Sequence, residues 1–274
     1  MRGMDAASLR LDAYLDRIGA GPRATLAEVH RSHVTSIPFE NLDSHRGVPV
    51  SLEFNDIQRK LVLERRGGYC FEHNLLLGAA LIARGMEVEP MLARVRLGRP
   101  WGTPRPRTHL VLRVHDGDTV WLADGGFGNG TLLEPIPFGP GGEYDQSGWR
   151  FRVAQDGAEH VLQTAADDGW ADVYGFVPEP VPMIDIETSN WFTCTHPGSP
   201  FVTGLIVAVN RPDGTRVVLS DRNGLTLARH TPAQTVVSHP ERGEIPDLLD
   251  AVFGLPGFAL GDNGRVTRPA TDSR

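Results

Sequence analysis

The feature that most limits the fold is a change of hydrophobic period near Gly85. Before it, apolar residues recur every three or four positions; after it, they alternate. One element type cannot serve both periods, so a helical part must precede a stranded one. Leu11, Tyr14, Leu15 and Ile18 make one helical stripe. Leu26, Val29, His33 and Val34 make a second, opened by Thr25 and Glu28 as a capping box. Ile57, Leu61 and Val62 predict a third helix over 56–65, which Gly67-Gly68 should stop. A fourth starts near Cys70 and carries Leu75, Leu76, Ala79, Ala80 and Ile82 to its end at Arg84.

Beyond Gly85 the strands are marked by their turns. Runs 108–114 and 119–124 flank Asp116-Gly117, a hairpin signal. Trp149, Phe151 and Val153 alternate with polar or small neighbours, and Asp156-Gly157 turns the chain into 160–163. Pro178, Pro180 and Pro182 look like a crossing between domains. After them come a short helix over 185–192, strands over 203–209, 216–220 and 225–229, a last helix over 245–253 and a frayed tail after Asp262. The expectation is a multidomain α+β fold: a helical bundle over 1–85, an antiparallel barrel or sandwich over 86–182, and a smaller α/β region over 183–274. With 274 residues the chain is long enough for roughly two domains and needs no disulfide or metal to fold.

Charge and cysteine usage narrow the function. A net charge of −7 argues against nucleic acid or an anionic membrane as partner. No apolar run reaches the ~18–20 residues of a membrane span, and Met1–Ala6 meets no signal core. Two cysteines make no disulfide framework, so cytoplasmic thiols are expected. Lys60 is the only lysine among 27 basic residues, which excludes a P-loop and most lysine chemistry. The arginine bias, with abundant Gly, Pro and Ala, points to a GC-rich, bacterial genome.

Cys70 stands at the first turn of an apolar helix, after Arg65-Arg66-Gly67-Gly68-Tyr69. Free backbone N–H groups, the positive helix end and two arginines all favour a thiolate there. An inert buried thiol is the alternative, and Cys194 reads as structural. A base can be sought across the hairpin. If Asp116-Gly117 is the two-residue turn, His115 faces Asp118, Val111 faces Leu122 and His109 faces Asp124 on one side of the ladder. Opposed Cβ atoms ~4.5–5.5 Å apart let the carboxylate orient the imidazole. A turn centred on Gly117-Asp118 instead would offset this pairing by two residues. His73 lies within i,i+3 reach of Cys70 but has no orienting acid, so it reads as a surface or packing residue. The remaining histidines keep no metal-motif company, and no metal is expected. The run Gly125-Gly126-Phe127-Gly128-Asn129-Gly130 offers backbone N–H groups for close approach to an anionic ligand.

Several motifs together resemble the prokaryotic arylamine N-acetyltransferase family. They are Ile37-Pro38-Phe39-Glu40-Asn41-Leu42, Arg66-Gly67-Gly68-Tyr69-Cys70-Phe71-Glu72-His73-Asn74, Thr108-His109-Leu110, Asp124-Gly125-Gly126-Phe127-Gly128 and Thr195-His196-Pro197-Gly198-Ser199-Pro200-Phe201. The resemblance implies a helical bundle, a β-barrel and an α/β lid, with a cysteine-protease-like Cys70–His109–Asp124 triad. It implies ping-pong transfer of acetyl from acetyl-CoA, through a Cys70 thioester, to an aromatic amine or hydrazine. Thr108, Gly126 and Phe127 would contact the CoA arm, and Phe39, Phe71, Phe127 and Phe201 would line the acceptor pocket. No tightly bound cofactor is implied, and a homodimer stays open. Residues 97–107, rich in Arg and Pro, show least of the family pattern. A macrolactam-closing amide synthase of the same family, or a transglutaminase- or cysteine-hydrolase-like acyl transferase, is the alternative.

Overall fold

The computed structural model describes residues 4–98 and 102–268, so part of the 97–107 stretch and the chain end lie outside it. Helices α1 (Leu11–Ile18) and α2 (Leu26–Ser36) form on the two apolar stripes, and α2 opens on the Thr25–Glu28 capping box. Strand β1 (Phe39–Glu40) and helices α3 (Leu42–His45) and α4 (Phe54–Gln58) follow; α4 continues as a π-turn over Arg59–Leu63. Helix α5 (Cys70–Ala83) is buried on nearly all sides, as its apolar circumference requires.

The expected third helix does not end on Gly67-Gly68. It is over by Glu64, where Arg65 takes a left-handed φ of 54°. The two glycines serve close approach instead. A Cβ on Gly67 would lie 2.1 Å from the Pro38 carbonyl oxygen, and one on Gly68 would lie 2.7 Å from a Glu72 carboxylate oxygen. The absent side chains let the segment before α5 bridge to β1.

Strands β2 (Glu87–Val95), β3 (His109–Asp116), β4 (Thr119–Ala123), β5 (Ile136–Pro137), β6 (Tyr144–Gln146), β7 (Trp149–Asp156), β8 (Glu159–Ala166) and β9 (Gly169–Phe176) form one antiparallel sheet. Its spatial order is β5-β4-β3-β2-β9-β8-β7-β6. Met91, Val111, Leu122, Ile136, Phe151, Leu162 and Val173 meet in one apolar cluster, so the sheet is curled into a nearly closed barrel. At the seam the Gln146 side chain accepts from the N–H groups of Leu133 and Glu134 and donates to the Glu134 carbonyl. Strand β3 alternates as a strand between two cores must: Val111 points into the barrel, while Leu110, Leu112 and Val114 pack with the helices.

Helices α6 (Met183–Thr195) and α7 (Pro200–Thr203) lead into β10 (Ile206–Asn210), β11 (Arg216–Ser220), β12 (Thr226–His230) and β13 (Thr235–Ser238). Helix α8 (Ile245–Ala251) and the hairpin of β14 (Ala259–Leu260) and β15 (Val266–Thr267) complete the described chain. Strand β1 pairs with β10, so the N-terminal segment supplies an edge of this five-stranded sheet. Two expectations fail here. Ser199 caps residues 200–203 as a helical turn, which delays the strand expected from Thr203 until Ile206. The tail is not frayed through residue 268, because Val266 is buried and Arg265 donates to the His45 carbonyl at 2.7 Å.

Candidate active site

The hairpin of β3 and β4 pairs Asp116 with Thr119 and Leu112 with Ala123. The turn is therefore Gly117-Asp118, and the expected facing of His109 with Asp124 does not occur. The cause is local. Gly117 takes φ 60° at the first central position while Asp118 stays out of the left-handed region, the pattern of a type II′ turn. Asp156-Gly157 behaves likewise, with Asp156 paired to Glu159 and Gly157 at φ 58°. A two-residue offset preserves which face each side chain occupies. His109 thus pairs with Ala93 of β2, yet stays on the side from which Asp124, just past the end of β4, can reach it diagonally.

The reach is made. His109 Nε2 lies 2.8 Å from Asp124 Oδ2, and both residues are buried. The Cys70 side chain is the other group that acts on the His109 imidazole. The Cys70 thiol lies 3.6 Å from the Thr108 carbonyl oxygen as well. Burial opposes charge on His109, but the Asp124 carboxylate and the hydrogen bonds of Asp124 and Cys70 outweigh it and push the imidazole up to about 10. Burial likewise opposes charge on Asp124, yet His109, Asn74 and the Gly126 N–H hold its carboxyl below the usual range. The arrangement is a thiol, an imidazole and a buried carboxylate in series, at the start of a buried helix.

Asn74, one helical turn after Cys70, was not singled out from sequence as a functional residue. Its amide donates to Asp124 Oδ1 at 3.0 Å and to the Leu110 carbonyl, and its oxygen accepts from the Gly125 N–H at 2.8 Å. The i,i+4 spacing from Cys70 was the available signal. Asp124 Oδ1 also accepts from the Gly126 N–H at 2.9 Å. The first two glycine N–H groups of the Gly-rich run are therefore spent inside the site and do not face an anionic ligand. What glycine provides is proximity: a Cβ on Gly126 would lie 2.7 Å from Cys70 Cα.

Of the two roles read for His73, surface or packing, the structure shows packing. It is buried, with Nδ1 2.9 Å from His33 Nε2 and Nε2 3.2 Å from the Pro38 carbonyl oxygen; Tyr14 OH completes the chain at His33 Nδ1. The carbonyl at one end accepts only, so His73 Nε2 carries a hydrogen; with both rings neutral, each link donates in one direction, from Tyr14 through His33 and His73 to Pro38. Burial lowers His73 to about 4 in agreement. Glu72 folds back to the Tyr69 N–H and meets Lys60 Nζ at 2.7 Å. That single lysine also pairs with Asp43 at 2.8 Å, while Arg66 joins Glu40 and Asp43 at 2.7 and 2.9 Å. A buried charge cluster thus anchors the chain entering Cys70.

The four phenylalanines divide. Phe127 stands edge-on to His109, ring centres 5.0 Å apart, with Tyr174 against both. Tyr174 had no signal in the sequence, since a tyrosine on a strand reads as ordinary core. Phe39 and Phe201 contact each other at 6.1 Å, and Phe201 also meets Tyr69. Phe71 has no exposed surface and packs on Tyr69 inside the helical core. Cys194 is buried near the end of α6, its thiol 3.8 Å from the Trp191 carbonyl oxygen. Among the described residues no cluster of three or more His, Cys, Asp or Glu side chains could hold a metal, and no helix is long and apolar enough to cross a membrane.

Comparison with known proteins bears on this geometry. The N-acetyltransferase family model matches residues 24–257. The arylamine N-acetyltransferase of Mycolicibacterium smegmatis is 41% identical over 264 residues, covering 93% of this chain and 94% of the relative. The Salmonella typhimurium arylamine N-acetyltransferase / N-hydroxyarylamine O-acetyltransferase is 33% identical over 89% of this chain and 88% of its own length. Among solved structures, that of the Mycobacterium marinum arylamine N-acetyltransferase in complex with CoA superposes with a TM-score of 0.84 at 36% identity, over 89% of this chain and 92% of that one. A family model that spans most of the chain, relatives more than 30% identical along nearly their whole length and a shared fold together show that the chain belongs to the arylamine N-acetyltransferase family.

Proposed function

We propose that this protein transfers acetyl from acetyl-CoA to the nitrogen of arylamines or arylhydrazines by a ping-pong route through Cys70. The Cys70 sulfur attacks the acetyl carbonyl of acetyl-CoA, the bond from that carbon to the CoA sulfur breaks, and His109 returns a proton to the departing CoA thiolate. An amine then attacks the Cys70 thioester, His109 takes the amine proton, and the amide leaves with the thiolate restored. Asp124 keeps His109 oriented and stabilises its charged form. The observation that carries the reading is the 2.8 Å contact of His109 with Asp124, with the Cys70 side chain acting on the same imidazole.

The phenylalanine grouping supports an aromatic acceptor. Phe127 beside His109, and Phe39 with Phe201, offer apolar walls near the thiol, while Phe71 supports from behind. Residues 1–85 would carry the nucleophile, 86–182 the histidine and carboxylate, and 183–274 the cover. The Tyr69–Asn190 hydrogen bond and the Tyr69–Phe201 contact support that last role, since both join α6 and α7 to the residue before Cys70. Excluding water there would protect the thioester from hydrolysis. An acceptor screen with acetyl-CoA, scored by free CoA, tests the proposal. CoA release that depends on an arylamine or arylhydrazine is expected. Release independent of acceptor, or turnover of peptides and amides alone, would indicate a hydrolase instead.

A further inference from the structure

Strand β4 ends at Ala123, so the buried Asp124 main chain continues without a strand partner. Its N–H donates at 3.1 Å to Nε2 of His30, a fully buried residue on α2. The other ring nitrogen, Nδ1, lies 3.1 Å from the Leu133 carbonyl oxygen. A backbone N–H only donates and a carbonyl only accepts. Nε2 must therefore be bare and Nδ1 must carry the hydrogen; neither the other tautomer nor the imidazolium satisfies both contacts. Leu133 lies on the connection from β4 to β5, so one imidazole ties together both ends of the loop that begins at Asp124.

We propose that His30 is a positioning residue, whose neutral Nδ1–H imidazole fixes the Asp124 main chain so that the carboxylate faces His109. The proposal rests on the reading of Cys70, His109 and Asp124 given above. Asn74 and the Gly126 N–H hold the carboxylate at Oδ1, and His30 holds the backbone from the opposite side. The charges that face His30 are Asp124 and Glu134, which favour its protonation; the neighbouring histidine is His33. Burial outweighs the two carboxylates and lowers His30, in keeping with the neutral ring that the contacts demand. Protonation would aim a second donor at the Asp124 N–H and break the tie.

The test begins with the unaltered protein. Ring ¹⁵N shifts at neutral pH should report His30 with Nδ1 protonated and Nε2 bare. An Nε2–H tautomer or an imidazolium would overturn the proposal without any variant. In His30→Leu, single-turnover acetylation of Cys70 should fall by on the order of 10- to 100-fold, and the titration midpoint of His109 should move down as Asp124 loses its place. His30→Gln supplies a carbonyl acceptor and should recover most of both losses. A merely structural residue would lower thermal stability without moving the His109 titration. A folded His30→Leu variant with wild-type rate and His109 titration contradicts the idea. Should the wild-type protein take no acetyl from acetyl-CoA, the functional reading fails, while the His30 tautomer and the His109 titration still decide the positioning role.

Discussion

Gly126→Ala isolates how closely the turn after β4 must approach the nucleophile. Gly126 is not in the left-handed region, so alanine fits its backbone and the effect is steric alone. The added Cβ would lie 2.7 Å from Cys70 Cα, 3.0 Å from His73 Cβ and 3.1 Å from the Cys70 carbonyl oxygen. Carbon atoms prefer separations of ~3.5–4.0 Å, and two of these three neighbours are main-chain atoms of a buried helix start that cannot rotate away. The turn must therefore retreat by about 1 Å. That displacement stretches the 2.9 Å bond from the Gly126 N–H to Asp124 and withdraws the carboxylate from His109. Overpacking of this kind costs about 1–3 kcal/mol, and a misplacement of ~1 Å near the chemistry costs roughly 100-fold in rate. Thermal melting and single-turnover acetylation, followed by intact mass, measure both. Gly117→Ala is the control. Its φ is 60° with nothing near, so strain of about 1–2 kcal/mol should appear with no change in rate. A Gly126→Ala protein that acetylates at the wild-type rate would refute the idea that this close approach aligns the site.

Asp124→Asn should leave the fold intact but lower acetylation by on the order of 10³- to 10⁴-fold, because an amide can hold the wrong His109 tautomer; circular dichroism with stopped-flow acetylation separates the two. Lys60→Met removes the cation 2.7 Å from Glu72 and should cost about 3–5 kcal/mol in urea unfolding, with a loss under ~1 kcal/mol counting against the cluster as anchor. Stability should also fall from neutral to alkaline pH. His109, raised to about 10 from 6.5, contributes fully below the lower value and loses its contribution through the upper, at up to ~1.4 kcal/mol per pH unit. Glu72, raised to about 7, adds a loss of the same sign as pH rises from 4.5. Unfolding at several pH values should therefore show an alkaline decline that flattens in His109→Gln; an equal slope in that variant would exclude the histidine as its source.

Helices α1, α2 and α5 and four of the eight barrel strands, β3, β4, β7 and β8, were legible, and the stripes of α1 and α2 show plainly in the residues; β2, β5, β6 and β9 were not singled out. Strand β13 was not, since all four of its residues are exposed and leave no alternation to read. The register of β3 with β4 was misread because Asp-Gly does not say whether glycine takes the first or second central position of a turn. The face assignment survived, as a two-residue offset preserves parity. Cys70, His109 and Asp124 were singled out by helix-start position and motif, whereas His30 and Tyr174 were not. Their importance comes from what they touch across more than 50 residues of chain, and one sequence carries no trace of that contact. Of the two roles read for His73, surface or packing, only packing holds, and its partner His33 comes from another helix.

The central claim is that Cys70 alone carries the acyl group. Incubation with acetyl-CoA, without acceptor, followed by intact mass and peptide mapping tests it directly. One acetyl on Cys70 is expected, discharged when an arylamine is added and missing in Cys70→Ala. An adduct mapped to buried Cys194, or one that persists undiminished in Cys70→Ala, would contradict the account.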